Sequence, residues 1–244
     1  MEYQYNNLFQ IEKENTTIIL YTKKNISKKY SSVLIWLAGL EESSEDFLDM
    51  FTYNYNLLPH PDQNKIIILC GEKMKITAYQ FEPNGDEEIP SWFDVRSLFA
   101  INENNVNLIN FDDVNKSTKR IGEIIEKEAQ YLKGYDNIFL GGFSQGACMS
   151  IHIGLSYEKT LGGIICVSGA LFPNTLINKK NEKVPIFISH GDLDDQITKD
   201  IQQLSIKKIK HFPNLEEHYY PSIGHYIEDN TLADLTKFFH NYMK

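Results

Sequence analysis

The chain has 244 residues, of which 42% are hydrophobic, 23% charged and 12% aromatic. This apolar content excludes a disordered chain, because folding can bury enough surface to offset the lost conformational entropy. The formal net charge of −9 excludes nucleic acid as the main partner, since phosphate binding depends on clustered lysine and arginine. The same charge disfavours general binding to anionic membranes.

Short apolar runs alternate with longer helical patterns along the chain. The expected strands cover residues 17–21, 33–37, 66–70, 138–141, 164–168, 184–190 and 217–220, and the expected helices cover residues 112–132, 145–157 and 228–242. Continuous apolar runs are typical of parallel strands that are covered on both faces. The pattern therefore predicts an α/β fold with a mostly parallel central sheet and helices on both faces.

Two connections differ from this alternation. The segment 22–32, with four lysines, fits a hairpin better than a crossover, so the strands at 17–21 and 33–37 are expected to form an antiparallel pair. Its lysines are typical of a solvated turn that protects an edge strand. The stretch 72–110 has no clear periodicity, and we expect it to form a long irregular loop that walls a functional site.

The strongest chemical signal is Gly141-Gly142-Phe143-Ser144-Gln145-Gly146, a G-x-S-x-G sequence between a predicted strand and a predicted helix. In this setting a sharp turn exposes the serine oxygen, and small residues are needed at Gly142 and Gly146 to avoid collisions. The start of the helix directs backbone N–H groups at the site, so the Gln145 N–H is a candidate oxyanion donor. The alternative is a glycine-rich turn whose serine caps the helix.

A serine nucleophile needs a histidine base and a carboxylate that orients the base. His190-Gly191-Asp192-Leu193-Asp194-Asp195 follows one predicted strand, and His225 follows the last. The order Ser, Asp, His is that of the α/β-hydrolases. His190 is the rival base, but support of the turn better explains its place beside three acids.

These motifs, with Pro90-Ser91-Trp92-Phe93-Asp94 and Gly224-His225, resemble the acyl-protein thioesterase and lysophospholipase family, the phospholipase/carboxylesterase branch of the α/β-hydrolases. The resemblance runs from about Val33 to the C-terminus. It implies an α/β-hydrolase fold, here with an antiparallel N-terminal hairpin. A site that draws on both ends of such a chain requires one sheet, so a single domain is expected over residues 1–244.

The resemblance also implies roles for individual residues. Ser144, Asp194 and His225 are the implied catalytic triad, and the implied oxyanion donors are the backbone N–H groups of Leu40 and Gln145. Asp192 is then expected to be structural. A fatty acyl groove is implied as well, with Trp92, Phe93, Phe81 and Leu171 as expected substrate-binding residues. Each of these apolar side chains has ordinary core packing as its alternative, and Trp92 gains most from the motif.

The sequence departs from the family pattern in the predicted oxyanion loop. The family usually reads Leu-His-Gly-Leu-Gly-Asp, whereas this chain reads Leu37-Ala38-Gly39-Leu40-Glu41-Glu42. The missing histidine concerns the support of the loop, because the donor itself is a backbone N–H and Gly39-Leu40 is retained. A second departure is Asp195, which stands where a proline is usual.

The leading hypothesis is a cytoplasmic serine hydrolase that cleaves acyl thioesters or oxyesters of S-acylated proteins or lysophospholipids. Such a mechanism needs no metal or organic cofactor. The alternatives are a short-chain carboxylesterase and a non-catalytic acyl-binding relative. The cytoplasmic assignment follows from three cysteines without metal spacing and from the absence of a long apolar run. Transient membrane contact is expected through an apolar rim near residues 81–93, and the sequence carries no signal for oligomeric state.

Overall fold

The computed structural model describes residues 8–25, 27–97 and 108–243. The strands in these residues are β1 (Phe9–Glu14), β2 (Thr17–Thr22), β3 (Ser32–Leu37), β4 (Asn64–Leu69), β5 (Glu72–Met74), β6 (Ile89–Ser91), β7 (Ile138–Phe143), β8 (Gly163–Val167), β9 (Ile186–Gly191) and β10 (Leu215–Tyr220). The α-helices are α1 (Leu48–Tyr53), α2 (Phe111–Leu132), α3 (Ser144–Ser156), α4 (Lys199–Ile209) and α5 (Asp229–Tyr242). Every strand and helix predicted from the sequence is confirmed to within two residues at each end.

Eight of these strands form one sheet, in the order β1-β2-β4-β3-β7-β8-β9-β10. β2 pairs antiparallel with β1 and with β4, whereas the pairs from β4 to β10 are parallel. The predicted mostly parallel sheet with an antiparallel N-terminal hairpin is therefore confirmed. Since the carboxyl ends of parallel strands meet at one edge, the loops after β3, β7, β9 and β10 come together there.

The strands of the hairpin differ from those predicted. The expectation that β2 pairs with β3 is wrong, because β4 lies between them. The hairpin is formed by β1 and β2 around Asn15, whose φ is 51°. β1 was missed because the second half of Phe9–Glu14 is exposed and charged, as suits an edge strand. The segment 22–32 has only about 10 Å to cover between β2 and β3.

The stretch 72–110 is more ordered than expected. β5 and β6 pair antiparallel, and Val95 bridges to Ile109. The prediction of one irregular loop is therefore wrong for these residues, while residues 98–107 lie outside the described part of the chain. The β5–β6 ribbon places Trp92 and Phe93 beside the carboxyl ends of the central strands.

Side chains of β3 show how the core covers both faces of the sheet. Leu34 and Trp36 belong to a buried cluster that includes Phe51 of α1 and residues of α5, whereas Val33 and Ile35 pack in a second cluster with α2 and α3. This alternation follows from the opposite directions of successive strand side chains. Burying each large apolar side chain stabilises the fold by about 1.5–3 kcal/mol. The layers hold the strand ends, and the loops that follow them, in place.

Candidate active site

Ser144 lies at the junction of β7 and α3, where its φ is 53°. This left-handed conformation is strained for a residue with a side chain. A Cβ atom on Gly142 would lie 2.6 Å from the backbone carbon of Gly146, and one on Gly146 would lie 2.2 Å from the Leu37 oxygen. The two glycines therefore let α3 begin directly beside β3, as the motif predicts.

Ser144, His225 and Asp194 form a continuous chain of hydrogen bonds. The distance from Ser144 Oγ to His225 Nε2 is 2.8 Å, and that from His225 Nδ1 to Asp194 Oδ2 is also 2.8 Å. An ionised carboxylate only accepts hydrogen bonds, so Nδ1 donates to Asp194 and leaves Nε2 of the neutral imidazole to accept the serine proton. The three residues come from different strand ends and meet only in the folded chain.

The Asp194 carboxylate is held by its own loop. Its side chain is fully buried, and Oδ1 accepts from the backbone N–H groups of Gln196 at 3.0 Å and Ile197 at 2.8 Å. Asp192 makes a different contact, accepting from the Ser222 N–H at 2.7 Å. That bond joins the loop after β9 to the loop that carries the histidine, which is the structural role expected of Asp192.

His225 and His190 have contrasting surroundings. The His225 ring packs against Phe143 with ring centroids 4.9 Å apart. His190 is buried at the end of β9, and neither ring nitrogen has a partner among the described residues. Burial lowers the pKa of His190 to about 3, so this imidazole is neutral at physiological pH. The hydroxyl of Ser144 is engaged by His225, in agreement with the interpretation of His190 as part of the strand end.

The loop after β3 is supported by the wall that contains Trp92. The Trp92 indole Nε1 donates to the Ala38 oxygen at 2.8 Å, and the Glu41 N–H donates to the Pro90 oxygen at 2.9 Å. Within the described residues, the Leu40 N–H between these two anchors has no hydrogen-bond partner. The support expected of the family histidine is thus provided from across the site, and a free N–H remains beside Ser144.

Glu41 stands where the family usually has glycine. Its φ is 68°, and a left-handed conformation costs a residue with a Cβ atom about 1–2 kcal/mol. The bond from its N–H to Pro90 helps to hold this conformation. The departure from the family pattern therefore changes the strain in the loop while keeping its path.

Gln145 contributes more than the backbone N–H for which it was selected. That N–H belongs to the first turn of α3, where no intrahelical acceptor exists. The buried side chain accepts from the Trp92 N–H at 2.7 Å and the Ser91 hydroxyl at 3.1 Å, and it donates to the Phe93 oxygen at 3.0 Å. This second role was missed. The available signal was a glutamine directly after the serine, in a turn that otherwise requires small residues.

A cavity of about 270 Å³ opens beside Ser144. Its walls are Leu40, Glu41, Tyr79, Phe93, Val95, Ser144, Gln145, Cys148, Gln196, Ile197 and His225. Of the four residues expected to form the acyl groove, Phe93 alone lines this cavity. Tyr79, Val95 and Ile197 were missed because they reach the cavity from segments far apart in sequence.

The other expected groove residues lie elsewhere. Trp92 is fully buried within the wall, and its indole contacts the loop after β3 through the Ala38 oxygen. The expectation for Phe81 and Leu171 is corrected: Phe81 is 90% exposed, and Leu171 is buried in a core cluster with residues of α3 and α4. Aromatic or aliphatic character does not indicate whether a side chain faces a cavity, the core or solvent.

Together, this sheet order and the serine, histidine and aspartate at its strand ends define the class of α/β-hydrolases. The family can be stated as well, because a family model described as phospholipase/carboxylesterase matches residues 23–243. The chain belongs to this family and is a hydrolase of esters or thioesters.

Curated relatives cover most of the chain. A protein of Dictyostelium discoideum named acyl-protein thioesterase 1 homolog 1 is 32% identical over 89% of this chain and 93% of its own length. Acyl-protein thioesterase 1 of Debaryomyces hansenii is 27% identical over 89% of this chain and 94% of its own length. The similarity thus extends over nearly whole proteins.

Solved structures share the fold. Arabidopsis thaliana SOBER1 superposes with a TM-score of 0.72 at 23% identity, covering 87% of this chain and 99% of its own. Zea mays acyl-protein thioesterase 2 has a TM-score of 0.72 at 18% identity, covering 93% of this chain and 99% of its own. At these identities the likeness concerns the fold alone.

Proposed function

We propose that this hydrolase is an acyl-protein thioesterase that removes fatty acyl groups from S-acylated proteins, with lysophospholipids as a second substrate class. The observation that carries the proposal is the continuous hydrogen-bonded chain of Ser144, His225 and Asp194, with bonds of 2.8 Å on both sides of the imidazole. The names of the curated relatives, which are acyl-protein thioesterases, support the thioester as the bond that is cleaved.

In the acylation step, Ser144 Oγ attacks the acyl carbonyl carbon while His225 Nε2 takes the serine proton. Asp194 stabilises the resulting imidazolium through the Nδ1 bond. The developing oxyanion is held by the backbone N–H groups of Leu40 and Gln145, and loss of one such donor costs about 10²–10³ in kcat. The tetrahedral intermediate then collapses, and His225 gives the proton to the leaving thiolate or alkoxide.

Deacylation repeats these steps with water. His225 takes a proton from the water molecule that attacks the acyl-Ser144 carbonyl, and it returns that proton to Ser144 Oγ as the ester bond breaks. The same two N–H groups hold the second oxyanion. All proton transfers pass through one imidazole, so the cycle needs no metal or organic cofactor.

The size of the cavity supports a second candidate, a short-chain carboxylesterase. Phe93, Val95 and Ile197 give the cavity apolar walls, but its volume of about 270 Å³ lies just below the ~300–1,000 Å³ usual for ligand pockets. Each CH₂ group buried adds about 0.8 kcal/mol, so the chain length at which binding stops improving reports the depth of the groove. A long acyl chain would have to leave the cavity along the protein surface.

Exposed apolar side chains support transient membrane contact as part of the proposal. Phe81 is 90% exposed, Leu193 beside Asp194 is 64% exposed, and Tyr226 beside His225 is 51% exposed. None of the helices in the described ranges combines the length and apolar character needed to span a bilayer. A rim of this kind suits an enzyme that reaches a membrane-bound acyl chain from the cytoplasm, the location that we propose.

The experiment compares wild type with Ser144→Ala. Wild type is expected to be labelled by a fluorophosphonate probe and to hydrolyse a palmitoyl-cysteine peptide and vesicle-bound lysophosphatidylcholine, while Ser144→Ala loses both properties. Equal labelling of the two proteins would overturn the mechanism, and labelling of wild type without any turnover would favour a non-catalytic acyl-binding protein. p-Nitrophenyl esters from acetate to palmitate separate the two enzymatic candidates, because a short-chain carboxylesterase loses kcat/KM as the chain lengthens.

A further inference from the structure

The proposed oxyanion loop is held on both sides of its free N–H. On one side the Glu41 N–H donates to the Pro90 oxygen, and on the other the Gly39 N–H donates to Glu42 Oε2 at 2.6 Å. The peptide that carries the Leu40 N–H lies between these anchors. Its direction therefore depends on both, and only the anchor at Glu42 is a side chain that can gain or lose a proton.

The Glu42 carboxylate lies close to the nucleophile. A Cβ atom on Gly39 would be 2.5 Å from Glu42 Oε2 and 3.2 Å from Ser144 Cβ, so the carboxylate, the loop backbone and the serine are packed together. Glu42 also lines a second cavity, of about 310 Å³, that His225 borders as well. The surroundings of His225 thus include a second carboxylate besides Asp194, and Glu42 was not among the residues selected from the sequence.

The charge state of Glu42 is set by this position. Burial raises the pKa of its carboxyl group to about 7. The hydrogen bond from Gly39 acts in the opposite direction, the nearby Asp46 raises the pKa further, and His225 lowers it. These are the titratable groups that face it, so both protonation states are populated near neutral pH.

We propose that Glu42 is a positioning residue, which directs the Leu40 N–H into the oxyanion hole through its bond to Gly39 and holds the loop more firmly when ionised. The inference rests on the proposed function, because it assigns the control of a donor that acts only during acyl transfer. A hydrogen bond to an ionised acceptor is about twice as strong as a neutral one. Oxyanion stabilisation in turn requires donors within about 0.5 Å of the productive geometry.

This assignment predicts a particular kinetic pattern. Misplacement of a catalytic group by about 1 Å costs on the order of 10²-fold in rate, so loosening the loop lowers kcat, while KM changes little because the cavity walls stay in place. Since the ionised form is the effective one, kcat of wild type rises with pH through about 7. Removing the titration while keeping an acceptor removes this rise.

The test uses three variants and a soluble ester between pH 5.5 and 9. Glu42→Ala is expected to lower kcat at least tenfold with KM within twofold of wild type. Glu42→Gln keeps a neutral oxygen acceptor for Gly39, so its kcat is expected to exceed that of Glu42→Ala, to match the low-pH level of wild type and to lack the Glu42-dependent rise near pH 7. Glu45→Ala is the matched control, because Glu45 lies in the same segment but pairs with Lys13 at the surface.

Each outcome decides the proposal. Wild-type kcat in Glu42→Ala, or a pH profile of Glu42→Gln that superimposes on that of wild type, would overturn it. If Glu42→Ala does not fold, the isosteric Glu42→Gln still gives the pH comparison. Failure of the proposed function can be distinguished, because it would leave wild type without Ser144-dependent turnover. Failure of this inference would leave wild type active, with the same kcat and pH profile in the Glu42 variants.

Discussion

The site has two sides, one around Asp194 and one around Glu42, whose carboxylates are held in different ways. On one side Asp194 is fully buried and accepts three hydrogen bonds, from His225, Gln196 and Ile197. On the other side Glu42 is partly exposed and accepts from Gly39. A carboxylate with several donors keeps one geometry. A carboxylate with a single donor and a pKa near 7 accepts a hydrogen bond whose strength changes as the group titrates. In the proposed function, Asp194 fixes the orientation of the catalytic imidazole, whereas Glu42 changes how firmly the oxyanion loop is held.

The two sides also differ in how local their contacts are. The backbone donors to Asp194 lie two and three residues later in the same turn, an arrangement typical of aspartate in loops. The loop at residues 38–42 depends on Trp92 and Pro90, about fifty residues away. The first side assembles with its own turn, and the second requires the wall to be in place. Three predictions test this contrast.

The largest effect is expected on the Asp194 side. Asp194→Asn keeps the shape of the side chain but no longer favours the tautomer with a proton on Nδ1, so kcat is expected to fall about 10⁴-fold. Ester hydrolysis and the rate of fluorophosphonate labelling measure this loss. Asp195→Asn is the control, since Asp195 is exposed and not bonded to His225. A loss of less than tenfold in Asp194→Asn would contradict the role assigned to this side.

A smaller effect is expected where the wall supports the oxyanion loop. Trp92→Phe removes the donor to the Ala38 oxygen and leaves that buried carbonyl unpaired, which costs about 1–3 kcal/mol. We expect kcat to fall about tenfold as the loop loosens, and chemical denaturation to show the lower stability.

Trp36→Phe is the matched control for this variant. Trp36 is equally buried, but its indole nitrogen has no partner among the described residues. The control loses similar volume without losing a hydrogen bond, so its kcat is expected to stay near that of wild type. Equal losses of activity in the two variants would show that packing, rather than the bond to Ala38, supports the loop.

The smallest effect concerns stability on the Glu42 side. The pKa of Glu42 rises from an ordinary value of 4.5 to about 7 on folding, so the folded state favours the protonated form. This contribution is fully present below about pH 4.5 and is lost as the pH rises through 7. Glu42→Gln does not ionise, so its free energy of unfolding is expected to gain about 1–2 kcal/mol on wild type between pH 5 and 8, after discounting for partial exposure.

Urea unfolding of both proteins at pH 5 and pH 8 measures this difference. Contributions from the other titrating groups cancel, because the two proteins share them. A stability difference that is constant between the two pH values would mean that Glu42 has an ordinary pKa in the folded state. The gain in stability at high pH, with the loss of pH-dependent activity, would identify Glu42 as a residue kept for function.

Much of the fold follows from local patterns. Continuous apolar runs located the seven strands, β2 to β4 and β7 to β10, and apolar spacing located α2 and α5, because a strand or helix leaves its period in the sequence. β1 was not predicted, because half of its positions are charged and exposed, as suits an edge strand. The pairing of β2 with β4 rather than β3 was also not predicted. A short connection requires two strands to lie near each other, but it does not show that they are direct neighbours in the sheet.

The site divides in the same way. Ser144 and His225 could be selected from the sequence because each follows a strand, and the ends of parallel strands meet at one edge. The choice of Asp194 among the three acids after β9 came from the family resemblance. By contrast, the exposure of Phe81, the burial of Leu171, the amide contacts of Gln145 and the approach of Glu42 to Gly39 became visible only in the folded chain. Strand ends and turns are determined by residues close together in the sequence. The direction of a side chain and its pKa depend on atoms that distant segments bring together.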